Sequence, residues 1–503
     1  MKLDERTWPT TIVWWCVVLL VAGARAAGAA EPERDPIEGT WTGTVTGPQG
    51  PTAIGLGFAR GEAGALVLTL DFPAMHTHSA KLGVPVEAHD PRYAIPAFQI
   101  ELTRSGDRLS GTFAAARLPL ELRRGGSFAP PPAPPVHPAA PSPRFSRELG
   151  PTWATPVVAD GTLYVGTEAG QFYAVNAADG VVRWSADVGA RIDGRPVVAG
   201  ERVCFVDGAV RLTCVSRADG ALAWRAPLHD PAINGGPPTD NPTFNRRTAT
   251  PLVIGSEILA GSSDGGLYAF DLANGVRRWR FDAGSPIFSG ITEIDDHTLA
   301  LGTMSGAVVL VDRVSHREVG RLPTGGGVVT TPVLARGRLV VGSRDYLLYG
   351  FDLASRSPAW RFSYWFSWVE STPALDAGEL YVGGSDYRRV TALDPVSGQV
   401  RWSTDVLGLA WGTPAVTADR VFIGAVAQNL EGTLIEHQGG VVALDRASGA
   451  VVWRYASPAP AEGAFGGFAG SLAVDDRSVF AIGFEGRLLA FPVTGRGSGS
   501  PTS

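Results

Sequence analysis

Three sets of residues in this chain have types and spacings that could carry chemistry. The first is Met75-His76-Thr77-His78, with His89 further on. Histidines two apart fall on one face of a strand, where their rings can chelate, and the Met75 thioether would suit copper. A full ligand set does not follow, so no metal site is expected. The second set is Cys204 and Cys214. Aligned on a neighbouring stretch they replace Tyr164 and Ala174, positions one residue out of direct opposition unless a bulge shifts the hairpin. Two readings stay open: a disulfide, which demands tight geometry, or two small apolar core residues. The third set recurs at one point of a repeated phrase: Trp153, Asp193, Thr248, Phe288, Val329, Glu370, Trp411 and Ala469. Arg246, Arg247 and the run Tyr364–Trp368 lie nearby. Aromatic rings and arginines at one mouth are what a recognition surface contains. The candidate binding residues are therefore Trp153, Arg247, Phe288, Trp368, Glu370 and Trp411. Some of these rings could instead plug a channel or pack under loops, since large aromatics are mostly buried. No catalytic residue is assigned.

The elements that must position these residues are declared by the repeat. TPVVADGTLYVGTEAGQFYAVNAADGVVRW (155–184) returns as 250–279 and 372–402, about every forty residues. Each unit carries short alternating apolar runs split by Gly, Asp and Asn turns, which reads as one four-stranded sheet. Eight such units start at Thr155, Arg195, Thr250, Gly290, Thr331, Thr372, Thr413 and Ser471. Three contain a full D-x-x-x-G-x-x-x-W frame, Asp271/Gly275/Trp279, Asp394/Gly398/Trp402 and Asp445/Gly449/Trp453. Asn176 and Ser216 replace the Asp ahead of Trp184 and Trp224, and Asp352 precedes Trp360 at the same spacing without the Gly. The Asp starts a turn by bonding its own backbone, Gly supplies the positive φ that ends it, and Trp offers a large surface to bury. Small residues two before the Asp, such as Ala269, Ala392 and Ala443, leave room for the ring. The fourth unit departs, with Leu310 at the small position and Gly320 in place of Trp, so its contact with the next unit is expected to be the least well packed. The last unit lacks a fourth strand. Phe145 to Leu149, ahead of the first unit, resembles the missing piece and would close a ring, removing two exposed sheet edges.

Outside the repeats, Lys2 and Arg6 precede an apolar stretch, Ile12 to Ala22, and then AGARAAGAA. Residues 1–30 read as a cleavable signal peptide, leaving no stable membrane span and placing the mature chain in the periplasm or outside the cell. Residues 37–128 alternate as a separate small β-rich unit, a strongly curved sheet or partial barrel. Residues 129–143 are a Pro-rich linker, read as a semi-rigid polyproline spacer. The repeats fill 144–494, and 495–503 form a disordered tail. A net charge of −6 argues against general nucleic-acid binding, which needs a basic face.

The Trp-containing units resemble the PQQ-like repeats of quinoprotein dehydrogenases and of the BamB family of outer-membrane assembly lipoproteins. The resemblance implies an all-β chain: an eight-bladed β-propeller preceded by a small β-barrel-like domain. The GTWTG opening and LPL closing strand of residues 37–128 resemble a lipocalin-like accessory domain. In a quinoprotein, the resemblance implies pyrroloquinoline quinone (PQQ) and Ca²⁺ in the central funnel, with an Asp base. Alcohol-oxidising members also carry adjacent paired cysteines, which this chain lacks. Their Gly-Asn-Pro calcium motif has its nearest match at Asp240-Asn241-Pro242, in a long insertion and out of register. The expectation is an exported, non-catalytic scaffold without cofactor, which holds an envelope protein partner at its funnel. A quinoprotein dehydrogenase and a binder of glycan or another small ligand are the alternatives, since one propeller hosts many functions.

Overall fold

The computed structural model describes residues 35–61, 64–75, 77–82, 84–114, 117–130, 132–230, 249–428 and 437–494. The signal-peptide and tail assignments, Arg246, Arg247 and Asp240-Asn241-Pro242 lie outside the described residues, as does His76.

Residues 39–124 build one nine-stranded antiparallel sheet. Gly39–Gly47 runs through its middle, between Gly50–Arg60 and Leu118–Arg124. The end strands, Thr77–Leu82 and Glu87–His89, do not pair with each other. The sheet thus curls without closing, in accord with the partial barrel read from alternation. Leu66–Phe72 shows the cause: Leu68, Leu70 and Phe72 are buried while their neighbours are not. Trp41 is fully buried with its indole N–H donated to the Ile37 carbonyl at 2.7 Å, and Arg124 lies over its ring at 4.2 Å. Tight curvature needs Gly43, where a Cβ would stand 2.0 Å from the Glu121 carbonyl oxygen. In the histidine motif, His78 Nδ1 lies 2.9 Å from Asp71 Oδ1, and His89 is exposed on the end strand.

Residues 145–492 form eight antiparallel sheets of four strands, the blades of a propeller, and the seventh carries one strand more. Val157–Ala159, Thr162–Gly166, Gln171–Asn176 and Val182–Asp187 make the first. In the eighth, Phe145–Glu148 pairs with Arg487–Pro492, Phe145 facing Ala490. The first strand of the repeat region therefore completes the last blade, as the sequence implied, and no blade is left with an unpaired strand set.

The frame at the outer rim is a joint between blades. Each Trp sits directly opposite the small residue of its own blade: Ala174↔Trp184, Cys214↔Trp224, Gly350↔Trp360, Ala392↔Trp402. A bulge follows at once, which turns the strand toward the neighbouring blade. The ring then covers the Gly of the next blade's turn. A Cβ on Gly220, Gly275, Gly398 or Gly449 would lie within 2.6 Å of the preceding blade's indole. The indole N–H donates to the carbonyl that follows the next blade's Asx or Ser: Trp184 to Arg217, Trp224 to Leu272, Trp360 to Pro395 and Trp402 to Arg446, at 2.9–3.0 Å. Ring burial and N–H partner are supplied together, which is what a buried Trp requires. Phe145 packs on Gly180 in the same manner.

Blade four breaks the rule at both ends. His316 occupies its Gly position, and Trp279 of blade three stacks on that imidazole at 4.4 Å. Gly320 replaces its Trp opposite Leu310, and the Arg356 guanidinium of blade five lies 3.0 Å from where a side chain there would start. Arg356 stays exposed. The joint is covered by a cation rather than left open, and it buries less than the Trp joints do.

Two readings need correction. Cys204 and Cys214 are directly opposed and form a disulfide. The bulge in this blade falls beyond them, between Cys214 and Val215, and faces the outer strand, so none is needed to bring the pair together. The Pro-rich tract is not a spacer throughout. Ala139 bridges the edge of the outer strand of blade seven, with Ala140 N–H bonded to Arg454 O and Arg454 N–H to Pro138 O. Polyproline geometry is extended enough to lie along an open strand edge, and Ala139 and Ala140, unlike proline, bring amide hydrogens.

Candidate funnel-mouth binding site

Because the strands of each blade are antiparallel, the loop entering its innermost strand and its middle hairpin emerge at the same end. This end gathers most of the candidate residues, but not as one group.

Blades one, seven and eight supply an aromatic platform. Trp153 and Trp411 stack at 5.8 Å with 15° between their planes. Phe465 meets both edge-on, at 5.8 and 5.7 Å, and Phe484 meets Trp153 edge-on at 4.7 Å. All four rings are half-buried over Leu409, Val426 and Ala469. Phe465 arrives on the extra strand Phe465–Gly467, which pairs with an extension of Arg420–Gln428. That strand sits in an insertion between repeats, so repeat alignment could not find it. Phe484 lies in the middle hairpin of blade eight, a position outside the loops that enter the innermost strands.

Blades five and six supply charge. Arg344 donates to Glu370 Oε1 at 2.8 Å from Nε, with a second nitrogen 2.6 Å away, and lies 4.6 Å over the Trp368 ring. Glu370 is 8% exposed, so this carboxylate is held beneath the surface rather than offered to solvent. Asp386, from the middle hairpin of blade six, is part-exposed. Burial and the Glu370 charge push its carboxyl up to about 6, against its own amide and the Ser385 hydroxyl. Burial, Asp386 and Asp345 push the Tyr346 hydroxyl up to about 12. Several bonds tie the two sectors, among them Trp411 Nε1 to Ser385 Oγ at 2.6 Å and Ser371 Oγ to the Gly412 carbonyl at 2.8 Å.

The remaining candidates stand apart. Phe288 is half-buried and stacks on no ring among the described residues. Asp193 is buried against Arg191 at 2.5 Å. Val329 and Ala469 are buried, as is most of the aromatic run, with Tyr364 and Trp365 under the hairpins and Trp368 at the surface. Arg344, Ser385 and Asp386 were missed by sequence reasoning, although a hairpin position that varies between otherwise regular repeats is a visible signal.

Comparison with known proteins agrees with this architecture. A family described as "Outer membrane protein assembly factor BamB" matches residues 134–286, 263–365, 359–434 and 430–500. The protein of that name from Yersinia pestis is 27% identical over 218 residues, 40% of this chain and 51% of its own length. The Escherichia coli K12 protein is 25% identical over 297 residues, 48% and 72% respectively. Three such relatives are spanned over only 51% to 53%, about half their length. Among solved structures, quinohemoprotein alcohol dehydrogenase ADHIIG from Pseudomonas putida HK5 is similar with a TM-score of 0.52 at 14% identity, over 71% of this chain and 77% of that one. At that identity the likeness concerns the fold alone. The family match runs through every blade, and the chain belongs to the BamB family of PQQ-like repeat propellers.

Proposed function

We propose that the chain is an exported, non-catalytic scaffold that holds a protein partner of the cell envelope at its funnel mouth. The observation that carries this reading is the half-buried platform of Trp153, Trp411, Phe465 and Phe484 at one open end. Aromatic anchors set in a closed, rigid ring are what a docking surface needs, because little entropy is lost on binding. The names borne by the relatives, outer membrane protein assembly factors, support a partner in the envelope. Among the described residues no helix is long and apolar enough to cross a membrane.

The competing reading is a quinoprotein dehydrogenase. PQQ carries several carboxylates and needs cations around it. Among the described residues Arg344 is engaged by Glu370 and Arg191 by Asp193, while Asp386 adds negative charge at the same mouth. These side chains do not fit that group, and the disulfide Cys204–Cys214 lies fully buried within blade two. PQQ bound tightly by the purified chain, with dye reduction, would overturn the scaffold reading.

The direct test is photo-crosslinking in cells. Glu370 is too buried for a probe, so the probe goes at Glu485, exposed beside Phe484, with a control at exposed Leu222 on the outer strand of blade two. A discrete protein adduct from Glu485 alone is expected. Its absence, with a glycan adduct in its place, would sink the protein-partner reading.

A further inference from the structure

Seven of the eight blades begin with Thr, Ser or Gly at the residue that leads into the innermost strand, and only blade two begins with a charge, Arg195. These positions face one another around the propeller axis. The amides of Thr331, Thr413 and Ser471 donate to the hydroxyls of Thr372, Ser471 and Thr155, the same position of the next blade, at 3.0, 2.8 and 3.1 Å. A Cβ on Gly290 would stand 2.3 Å from the Thr331 hydroxyl oxygen. Side chains at this level therefore converge on the channel, and Arg195 sets one guanidinium into a ring of small neutral groups.

That guanidinium is uncompensated. Among the described residues Arg195 makes no hydrogen bond or ion pair. Asp193, two residues earlier, is bonded to Arg191 at 2.5 Å. Arg195 is exposed, yet enclosure by the protein lowers its guanidinium below the ordinary value, with no carboxylate acting against the shift. The rim arginine Arg278 moves the other way, raised by its bond to Asp271. A side chain that water reaches but protein surrounds is one that stands in a channel. Arginine stays protonated there, so a whole cation is left unpaired. The Thr155 amide supplies a second donor. By the pattern of the ring it faces blade two, where Arg195 brings no hydroxyl, and among the described residues it has no acceptor.

We infer that Arg195 and the Thr155 amide form an anion site on the propeller axis, and that it takes a carboxylate. Both groups donate and neither accepts, so the site is selective for an acceptor. The planar guanidinium fork matches the two oxygens of a carboxylate. One positive charge balances one carboxylate, whereas a phosphate dianion would leave excess negative charge in an enclosed place. A single guanidinium does not supply the several cations that PQQ needs. The inference goes beyond the scaffold reading and does not depend on it, because it draws on none of the rings or acids of the mouth.

The experiment titrates the full purified chain with sodium acetate near neutral pH, sodium chloride holding the ionic strength constant, and follows the Thr155 amide and Arg195 Nε–H signals by NMR. Saturable shifts of both signals are expected. Arg195→Gln should weaken acetate binding, read at the Thr155 amide, by at least about tenfold, and should keep the wild-type circular dichroism because no partner is lost. Arg195→Lys, with the charge but not the fork, should fall between the two. Arg317→Gln, on the exposed outer strand of blade four, should leave the titration unchanged. Wild-type affinity in both Arg195 variants, shifts that chloride alone reproduces, or tighter binding of inorganic phosphate than of acetate overturns the inference. The peptide Ac-Gly-Glu-Gly-amide then separates the sources. Binding equal to that of acetate supports a glutamate of a protein partner, and binding of acetate without the peptide supports a free small carboxylate, the site standing in both cases. Crosslinking from Glu485 bears on the scaffold reading alone, so the two fail separately.

Discussion

The outer rim and the funnel mouth of this propeller are built from the same repeat and treat it in opposite ways. At the rim, blade after blade presents the same Trp to the same Gly turn and the same carbonyl. At the mouth, equivalent positions hold Trp153, Asp193, Phe288, Val329, Glu370, Trp411 and Ala469, no period surviving. Their aspartates differ accordingly. Asp394, in a rim turn, is held below the usual carboxylate range chiefly by the Ser397 amide, while burial lifts Asp386 at the mouth to about 6. At the rim the side chains engage each other, whereas the mouth leaves rings half-buried and Asp386 without an ion pair among the described residues. Uniform positions carry architecture, and under the proposed scaffold reading the positions that escape uniformity carry recognition.

That contrast can be broken at several points. Trp402→Ala removes a rim joint and should cost about 3–5 kcal/mol, read as a lower guanidinium chloride midpoint. Trp411→Ala at the mouth should cost less than half of that, about 1–2 kcal/mol, because part of its surface already faces water. Equal losses would make the mouth a structural plug and erase the distinction. Blade four offers a sharper test between these two sizes. In a Leu310→Ala background, which leaves room for a ring opposite, Gly320→Trp alone would collide with Arg356 and Arg356→Gly alone would open the joint, but together they should restore the regular Trp-on-Gly contact. A double-mutant cycle should therefore show favourable coupling of about 1–3 kcal/mol. Additive single effects would mean that blade four packs by other rules.

The smallest expected effect concerns pH. The Asp386 carboxyl ionises near 6 in the folded chain, above its ordinary value of 3.8. Between those values the folded state binds the extra proton, so this group adds stability as pH falls from 7 to 5. The melting temperature of wild type should rise slightly relative to Asp386→Asn over that range. Rim aspartates such as Asp394 act with the other sign, since their depressed values withdraw stability only below the ordinary carboxylate range. A parallel response in both regions would refute the assignment of Asp386 as a desolvated group.

The sequence by itself determined the blade count, the ring closure by Phe145 and the residues of the rim joint. Each rests on a period: alternation sets which face is buried, and Asp, Gly and Trp recur at fixed offsets, so local chemistry repeated along the chain implies repeated structure. Where the period lapsed, the sequence named the place and could not name the remedy, as when Arg356 covers the gap at Gly320. Tertiary structure alone decided the rest. It set Cys204 directly across from Cys214, laid the proline tract along blade seven, and brought Phe465 out of an insertion onto Trp153 and Trp411. It also made Glu370, a candidate contact at the mouth, the buried partner of Arg344, with Asp386 beside it. The physical reason is that a funnel side chain takes its burial and charge from neighbours one blade away, about forty residues distant in sequence, where no local pattern reports who those neighbours are.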